Sequence, residues 1–241
     1  MIRMKKRGKR DMKKGIRLLA LWIVFMMTTT TVYATKQENE LTVIKKEERR
    51  EYKNNQGDIR LYLNYQYPLL EGPQKGIPQI NEETKKQKEA WFDSHKELIN
   101  SIKGEQNYGF KNVDEVSYII TYNKDGKVGV LYEGYLFTGG AHGMPYRSSY
   151  IYELDTGEKL APSQMLQKSN EEIKNSLVEQ FRKRVEENKD WYWPEALQIV
   201  KDMDLSKIGY YITDEGIVFY FDPYILAPFA AGFVEVLVPW K

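Results

Sequence analysis

The chain has 241 residues, none of them cysteine and only two of them histidine, His95 and His142. Without cysteine it can form no disulfide, no thiolate metal site and no thiol nucleophile. A zinc site takes three or more protein ligands, so this histidine content does not favour one. No serine lies in a G-x-S-x-G sequence, which excludes the hydrolase nucleophile elbow. We therefore predict no metal and no cofactor.

The amino terminus is strongly basic and is followed by an uncharged apolar segment. Residues 1–17 contain nine Lys or Arg against one acid, residues 18–27 are continuously apolar, and the segment closes with Val32-Tyr33-Ala34. Two interpretations of residues 1–34 are open: a cleaved signal peptide, or a membrane anchor that contacts the bilayer through residues 18–34. Both place the remainder outside the cytoplasmic membrane, so we expect a secreted or membrane-anchored protein.

The charge of the chain divides at the end of this leader. The whole sequence carries 36 Lys and Arg against 34 Asp and Glu, a net charge of +2. Residues 35–241 carry 27 against 33, a net charge of −6. An acidic domain does not favour nucleic acid as a partner, because phosphate binding needs a basic surface. It favours encounter with a cationic partner.

Residues 35–58 are rich in Lys, Glu, Asn and Gln and poor in apolar residues, which predicts a tether or a loosely attached first strand. The patterns from residue 59 onward predict one extracytoplasmic domain over residues 59–241. Runs of antiparallel strands with segregated helices define its class as α+β, with one or more antiparallel sheets and helices packed on one side.

The individual elements follow from hydrophobic periodicity and from capping residues. The predicted strands are 59–67, ended by Pro68, then 115–122, 127–137, 146–154, 209–212, 217–221 and 233–238. The predicted helices are 81–103, capped by Asn81, a part that begins near Pro162 and continues behind a capping box of Ser169 and Glu172, and 195–201.

The string Thr138-Gly139-Gly140-Ala141-His142-Gly143 is the first candidate site. Its glycines allow the backbone to turn tightly or to approach another segment closely. His142 has the chemistry of a base or a ligand, but no phosphate-loop Lys follows and no partner nucleophile is evident. We favour a structural or binding role for Gly139, Gly140, His142 and Gly143, and assign no catalytic residue. His95 lies on the apolar stripe of the helix 81–103 and is expected to be packed.

The string from Asp222 to Gly232, DPYILAPFAAG, is the second candidate site. Its two prolines prevent a regular strand, so its aromatic residues stand on a constrained loop. A constrained loop loses little entropy on binding, which makes Tyr224, Pro228 and Phe229 candidate binding residues. The alternative is that these aromatic side chains fill the core beneath a bend between two strands.

Taken in order, the two strings resemble a known bacterial family. The Gly139 to Gly143 string, residues 150–160, residues 219–232 and the final Val236-Leu237-Val238-Pro239 are similar to the extracytoplasmic family called domain of unknown function 3298, over about residues 126–241. Tyr65-Gln66-Tyr67-Pro68 and Pro78-Gln79-Ile80-Asn81 resemble its usual amino-terminal companion, domain of unknown function 4163, over about residues 59–125.

This resemblance implies a binding or sensing role at the cell wall. The family supplies the lysozyme-binding ectodomain of RsiV-type anti-sigma factors and the amino-terminal module of PdaC-type peptidoglycan deacetylases. The short stretch before the apolar segment and the end at Lys241 lead us to expect neither a sigma-factor-binding domain nor a deacetylase domain. Many relatives have Tyr where this chain has Phe229, so a hydrogen bond from that hydroxyl is lost.

Three hypotheses of function follow. The first is a cell-envelope binding or sensing module that meets a cationic lysozyme-like protein or a cell-wall glycan through the loops around His142 and Pro228. The second is a peptidoglycan- or peptide-directed enzyme with His142 as general base. The third is a purely structural envelope protein. We favour the first, and thus expect binding rather than catalysis.

Overall fold

The computed structural model describes residues 41–104 and 110–240, which form two β-sheets and the helices packed on them. The strands of the first sheet are β1 (Thr42–Lys53), β2 (Ile59–Glu71), β3 (Asn112–Lys124), β4 (Lys127–Phe137) and β5 (Met144–Glu153). The strands of the second are β6 (Gly209–Ile212), β7 (Gly216–Phe221) and β8 (Val234–Pro239). The helices are α1 (Ile77–Ser94), α2 (Lys96–Gly104), α3 (Pro162–Leu166), α4 (Asn170–Glu187) and α5 (Ala196–Asp202). The leader predicted over residues 1–34 lies outside the described residues.

The first sheet has the strand order β1-β2-β3-β4-β5, and the second the order β6-β7-β8. Neighbouring strands are antiparallel with one exception, because residues 61–65 of β2 run parallel to residues 112–116 of β3. A parallel pair needs a long crossover, and the segment that contains α1 and α2 provides it. The predicted α+β class is confirmed, and this one pair departs from the antiparallel pattern that the strand runs predicted.

The segment predicted as a tether or a loosely attached strand contains a full edge strand. β1 pairs with β2 over its whole length, from Thr42 to Lys53. β2 in turn continues through Pro68 to Glu71, although the sequence predicted that proline to end it. Beyond Tyr65 β2 no longer pairs with β3, so a residue without an N–H group is tolerated on that side of the strand.

The helix predicted over residues 81–103 begins earlier, at Ile77, and is broken at His95. Pro78 lies in the first turn of α1, where a missing N–H group is tolerated. Asn81 is therefore not the cap. Its side-chain amide accepts from the N–H of Leu70 and donates to the carbonyl of Leu70, both at 2.9 Å. The Asn81 side chain thus connects the end of β2 to α1 by hydrogen bonds.

Two clusters of buried side chains form the cores, and both lie within the described residues. The first joins α1 and α2 to the first sheet, through residues such as Leu61, Leu63, Ile80, Phe92 and Val130. The second joins α4 and α5 to the second sheet and to Ile151 of β5, through residues such as Ile173, Leu177, Phe181, Phe219 and Val236. Within the described part of the chain, none of the helices is long and apolar enough to cross a bilayer.

Candidate binding surface and an adjoining pocket

Two loops that are far apart in the sequence meet in the structure. The glycine loop (residues 138–143) connects β4 to β5, and the proline loop (residues 222–233) connects β7 to β8. The imidazole of His142 stacks on the ring of Phe229 with the ring centroids 3.9 Å apart and an interplanar angle of 21°. The ring of Tyr224 lies 5.5 Å from that of Phe229. The structure thus brings the two predicted candidate sites together.

The backbone of the glycine loop explains its composition. Gly139 and Gly140 have φ angles of 101° and 93°, which residues with a Cβ atom rarely adopt. Gly143 is buried, and its N–H donates to the hydroxyl of Tyr135 at 2.8 Å. A Cβ atom at Gly143 would lie 2.6 Å from the carbonyl oxygen of Leu136, so only glycine fits there. The loop therefore folds back onto the end of β4 and leaves His142 exposed.

The proline loop is held in one conformation by hydrogen bonds from Trp193. The indole N–H of Trp193 donates to the carbonyl of Tyr224 at 3.1 Å, and its backbone N–H donates to the carbonyl of Leu226 at 2.9 Å. After the exposed Pro228, the N–H of Ala231 donates to the Pro228 carbonyl at 2.9 Å and closes a short 3-10 turn. Leu226 fills the core beneath the loop, whereas 49 % of Tyr224 is exposed. The alternative that the aromatic residues fill the core therefore does not hold for Tyr224.

The two loops and the strand ends beside them form an aromatic and apolar surface. Tyr135 and Tyr224 are exposed to solvent, and Phe229 is half-buried under His142. We call this the two-loop surface and define it by Tyr135, His142, Tyr224 and Phe229. Exposed apolar clusters of this kind mark interaction sites on soluble domains.

Arg147 of β5 links the strands on which the two loops begin or end. Its guanidinium donates to Glu133 of β4 at 2.6 and 2.9 Å and to Glu235 of β8 at 2.6 Å. It also lies 4.1 Å from the ring centroid of Phe233. Burial lowers the pKa of Arg147, but its hydrogen bonds to the two carboxylates outweigh burial and raise the pKa overall. β4, β5 and β8 are thereby fixed to one another beneath the two-loop surface.

The geometry of His142 is that of a contact residue. Its Nδ1 atom lies 2.9 Å from the carbonyl oxygen of Gly143, which can only accept, so Nδ1 carries a hydrogen. In this tautomer Nε2 is the nitrogen that can accept a hydrogen bond. Among the residues that the structure describes, no carboxylate is hydrogen-bonded to this imidazole to orient it as a general base.

The structure contains a second group of hydrogen-bonded polar residues. The sequence predicted that His95 is packed, but it did not predict this group. The indole N–H of Trp91 donates to the hydroxyl of Tyr146 at 2.8 Å, and that hydroxyl donates to Asp114 Oδ1 at 2.7 Å. The Nε2 atom of His95 lies 2.8 Å from Asp114 Oδ2, and its Nδ1 atom lies 2.8 Å from the carbonyl oxygen of Trp91. We call this closed chain of hydrogen bonds the polar ring (Trp91, His95, Asp114, Tyr146).

Donor and acceptor chemistry fixes the direction of each bond in the polar ring. An indole N–H only donates, so Tyr146 accepts from Trp91 and donates to Asp114. Burial, followed by the charge of Asp114, raises the pKa of Tyr146, which keeps that donor protonated. Both ring nitrogens of His95 face acceptors, so an ionised Asp114 has a cationic His95 as its partner. His95 and Asp114 are buried, with only 7 % and 3 % of each residue exposed.

Ser94 lies beside His95 and Asp114, so the three residue types of a catalytic triad are present. The hydrogen bonds of Ser94 nevertheless do not make it a nucleophile. The Ser94 hydroxyl donates to the carbonyl of Trp91 at 2.7 Å and lies 3.4 Å from Nδ1 of His95. Because that nitrogen carries its own hydrogen toward the same carbonyl, it cannot accept the proton of Ser94. The polar ring instead fastens the break between α1 and α2 to the start of β3.

A cavity of about 500 Å³ opens beside the polar ring, and we call it the His95 pocket. Trp91, His95, Asp114 and Tyr146 all border it, and Glu97 and Leu98 of α2 form another part of its lining. Thr138, the first residue of the glycine loop, also lines it, so the pocket extends to the loop that contains His142. No group of three His, Asp or Glu in the described part of the chain could hold a metal ion.

In comparison with known proteins, two family models match different parts of the domain. Residues 161–241 match the family model described as protein of unknown function (DUF3298), and residues 53–145 match the model described as deacetylase PdaC. The two matches confirm the resemblance to the DUF3298 and PdaC families, each over about a third of the chain. The glycine loop, which the sequence resemblance placed in the DUF3298 part, falls in the segment matched by the PdaC model. The proline loop falls in the DUF3298 segment, so both segments contribute to the two-loop surface.

Two solved structures share the fold. A DUF3298 family protein from Pseudomonas aeruginosa PAO1 is 18 % identical, with a TM-score of 0.56 over 84 % of this chain and 91 % of that chain. A member of the same family from Bacteroides fragilis NCTC 9343 is 17 % identical, with a TM-score of 0.51 over 83 % of this chain and 90 % of that chain. No curated protein matches the chain. At these identities the structural likeness shows the fold alone.

Proposed function

We propose that the chain is an extracytoplasmic binding module of the cell envelope that engages a cationic, lysozyme-like protein through the two-loop surface. The observation that carries the proposal is the stacking of His142 on Phe229, which joins loops of the two matched segments into one exposed surface. A model named for a deacetylase, PdaC, supports a place at the cell envelope.

The conformation of Tyr224 supports contact with a partner. Its φ angle of 73° is unfavourable for a bulky residue, yet its ring is half exposed and contributes little to the core. Backbone strain of this kind is often found at binding sites. Aromatic side chains on a rigid loop are also the residue type that dominates the energy of protein interfaces.

The charge of the domain supports a cationic partner. Residues 35–241 carry a net charge of −6, which accelerates encounter with a protein of opposite charge and makes the association sensitive to salt. The geometry of His142 gives no support to the alternative of a hydrolytic enzyme, because a general base needs an orienting partner.

The proposal is tested by titrating residues 35–241, which include every described element, with lysozyme at low and high salt. We expect binding at micromolar protein that weakens as salt is added. Phe229→Ala and Tyr224→Ala should lower the affinity by about tenfold or more, as truncation of aromatic interface anchors does. Ile119→Ala is the matched control, because Ile119 is an exposed apolar residue outside both loops.

Absence of salt-dependent binding at these concentrations would contradict the proposal. Soluble cell-wall glycan fragments could bind where lysozyme does not, with the same loss of affinity in Phe229→Ala. In that case the two-loop surface would remain the binding site, and the partner would be a glycan instead of a protein. An equal loss of affinity in Ile119→Ala would show that the two loops are not the contact region.

A further inference from the structure

We propose that the His95 pocket receives the side chain of a lysine or arginine, with Glu97 as its anionic group and Trp91 and Leu98 as its apolar wall. The proposal rests on the proposed function only for the source of that side chain, which a cationic partner on the two-loop surface would supply. The chemistry of the pocket is argued from its own residues.

The charges that line the pocket leave one carboxylate in excess. Asp114 is paired with His95 through one shared hydrogen, so the pair has no net charge whichever of the two residues carries it. Glu97 also lines the pocket and is exposed, and no Lys or Arg of the described residues forms an ion pair with it. Among the described residues that line the pocket there is neither Lys nor Arg. A cationic group is therefore the ligand that this lining complements.

The apolar lining suits a charged group on an alkyl stem. Trp91, Leu98 and Leu136 border the cavity, and its volume of about 500 Å³ accommodates a single long side chain. Lysine and arginine bury their methylene stems against apolar surface while the charged end keeps a polar partner. An indole ring beside a cation adds a further attraction.

The polar ring organises this pocket before a ligand enters. Tyr146 and His95 hold the two oxygens of Asp114, so the carboxylate cannot rotate, and His95 fastens the α1–α2 break that positions Glu97. A lining that is ordered in advance costs less conformational entropy on binding. Thr138 belongs both to the pocket and to the glycine loop, so the pocket and the two-loop surface share one loop.

The experiment follows the Trp91 indole N–H by nuclear magnetic resonance in residues 35–241, the part of the chain that contains both cores. N-acetyl-lysine amide and N-acetyl-arginine amide are the probes, and N-acetyl-norleucine amide is their neutral counterpart. We expect saturable shifts with the two cations in the millimolar range, weaker in salt, and none with norleucine. Glu97→Gln should lower the affinity for the two cations by about fivefold, which corresponds to the upper range of the free energy of an exposed charge pair.

Glu82→Gln is the control, because Glu82 is an exposed carboxylate on α1 that does not line the pocket. Equal shifts with norleucine, or equal affinity in Glu97→Gln and the wild type, would overturn the proposal. Lysozyme binding without any response to the two cations would also overturn it and would leave the proposed function standing. Binding of the cations without lysozyme binding would support the pocket and contradict the proposed partner.

Discussion

The backbone conformation of Tyr224 favours glycine, whereas its side chain makes an aromatic contact. Its φ angle of 73° suits glycine, while its half-exposed ring contacts Phe229. Tyr224→Gly and Tyr224→Ala both remove the ring, but only alanine keeps a Cβ atom in the left-handed region. We expect the glycine variant to have the higher free energy of unfolding, by about 1 kcal/mol, in urea denaturation. Equal stability of the two variants would show that this φ angle is not strained.

The role of His142 can be separated into stacking and proton chemistry. His142→Phe keeps an aromatic ring that can stack on Phe229, whereas His142→Ala removes it. We expect His142→Phe to retain most of the affinity for the partner. His142→Ala should lower that affinity by about fivefold, because an aromatic pair contributes about 1 kcal/mol. Equal and complete loss in both variants would instead favour a role for the imidazole nitrogens.

At the same scale, the residues that could be predicted from the sequence are those whose contacts are local. The capping box was predicted because its two partners are three residues apart, and the Ser169 hydroxyl does accept from the Glu172 N–H at 3.2 Å. The bond between His95 and Asp114 joins a helix break to a strand. The i, i+4 spacing of Trp91 and His95 was visible, but nothing nearby indicated Asp114 as the partner.

At the scale of elements, Arg147 determines how firmly the two loops are held. Its planar guanidinium bonds carboxylates on two different strands, which the ammonium of lysine cannot reproduce. We expect Arg147→Lys to lower the free energy of unfolding by about 1–2 kcal/mol, since only 15 % of the arginine side chain is exposed, against 35 % and 38 % of the two carboxylate side chains. It should also accelerate hydrogen exchange in the glycine and proline loops.

Arg182→Lys is the matched control for this prediction. Arg182 pairs with Glu179 on α4, and both side chains are well exposed, so the substitution should change the free energy of unfolding by less than about 0.5 kcal/mol. If the two variants lose equal stability, or if hydrogen exchange in the loops is unchanged in Arg147→Lys, Arg147 does not hold the loops.

β1 shows why composition alone described this part of the chain poorly. Its charged sequence is typical of a disordered tether, yet several of the charges form ion pairs, some within the strand and some with the neighbouring helix α1. Lys88 of α1 donates to Glu48, Arg50 donates to the same carboxylate at 2.8 Å, and the Arg50 guanidinium lies 3.6 Å from the ring centroid of Phe92. These contacts depend on where α1 packs, which the local pattern of residues 35–58 does not contain.

At the scale of the whole molecule, the α+β class could be predicted because each hairpin and helix has its own periodicity. The convergence of the two loops could not. It depends on β5 and β8 lying close enough for Arg147 to reach Glu235, and the two strands belong to different sheets. The two-loop surface therefore forms only in the assembled domain, because neither matched segment contains both loops.

The whole fold also depends on keeping many tyrosines protonated. Of the 18 tyrosines, several have a pKa raised by burial, and the pKa of Tyr122 and that of Tyr211 rise to about 12. An unfolded tyrosine loses its proton near pH 10, so between about pH 10 and 12 the folded chain binds more protons than the unfolded chain. The free energy of unfolding is therefore at its full value below about pH 10 and falls as the pH rises through this range.

This linkage predicts a cooperative alkaline transition. Circular dichroism should report loss of structure between about pH 10 and 12, and the ultraviolet absorbance of tyrosinate should rise in the same transition, because the buried phenols ionise only when the domain opens. Tyr65, Tyr132, Tyr146 and Tyr152, whose pKa values are all raised by burial, lie in the core of the first sheet or at its edge, so this sheet should open as one unit. If most tyrosinate forms while the dichroism stays native, the phenols are accessible in the folded state and do not contribute to its stability.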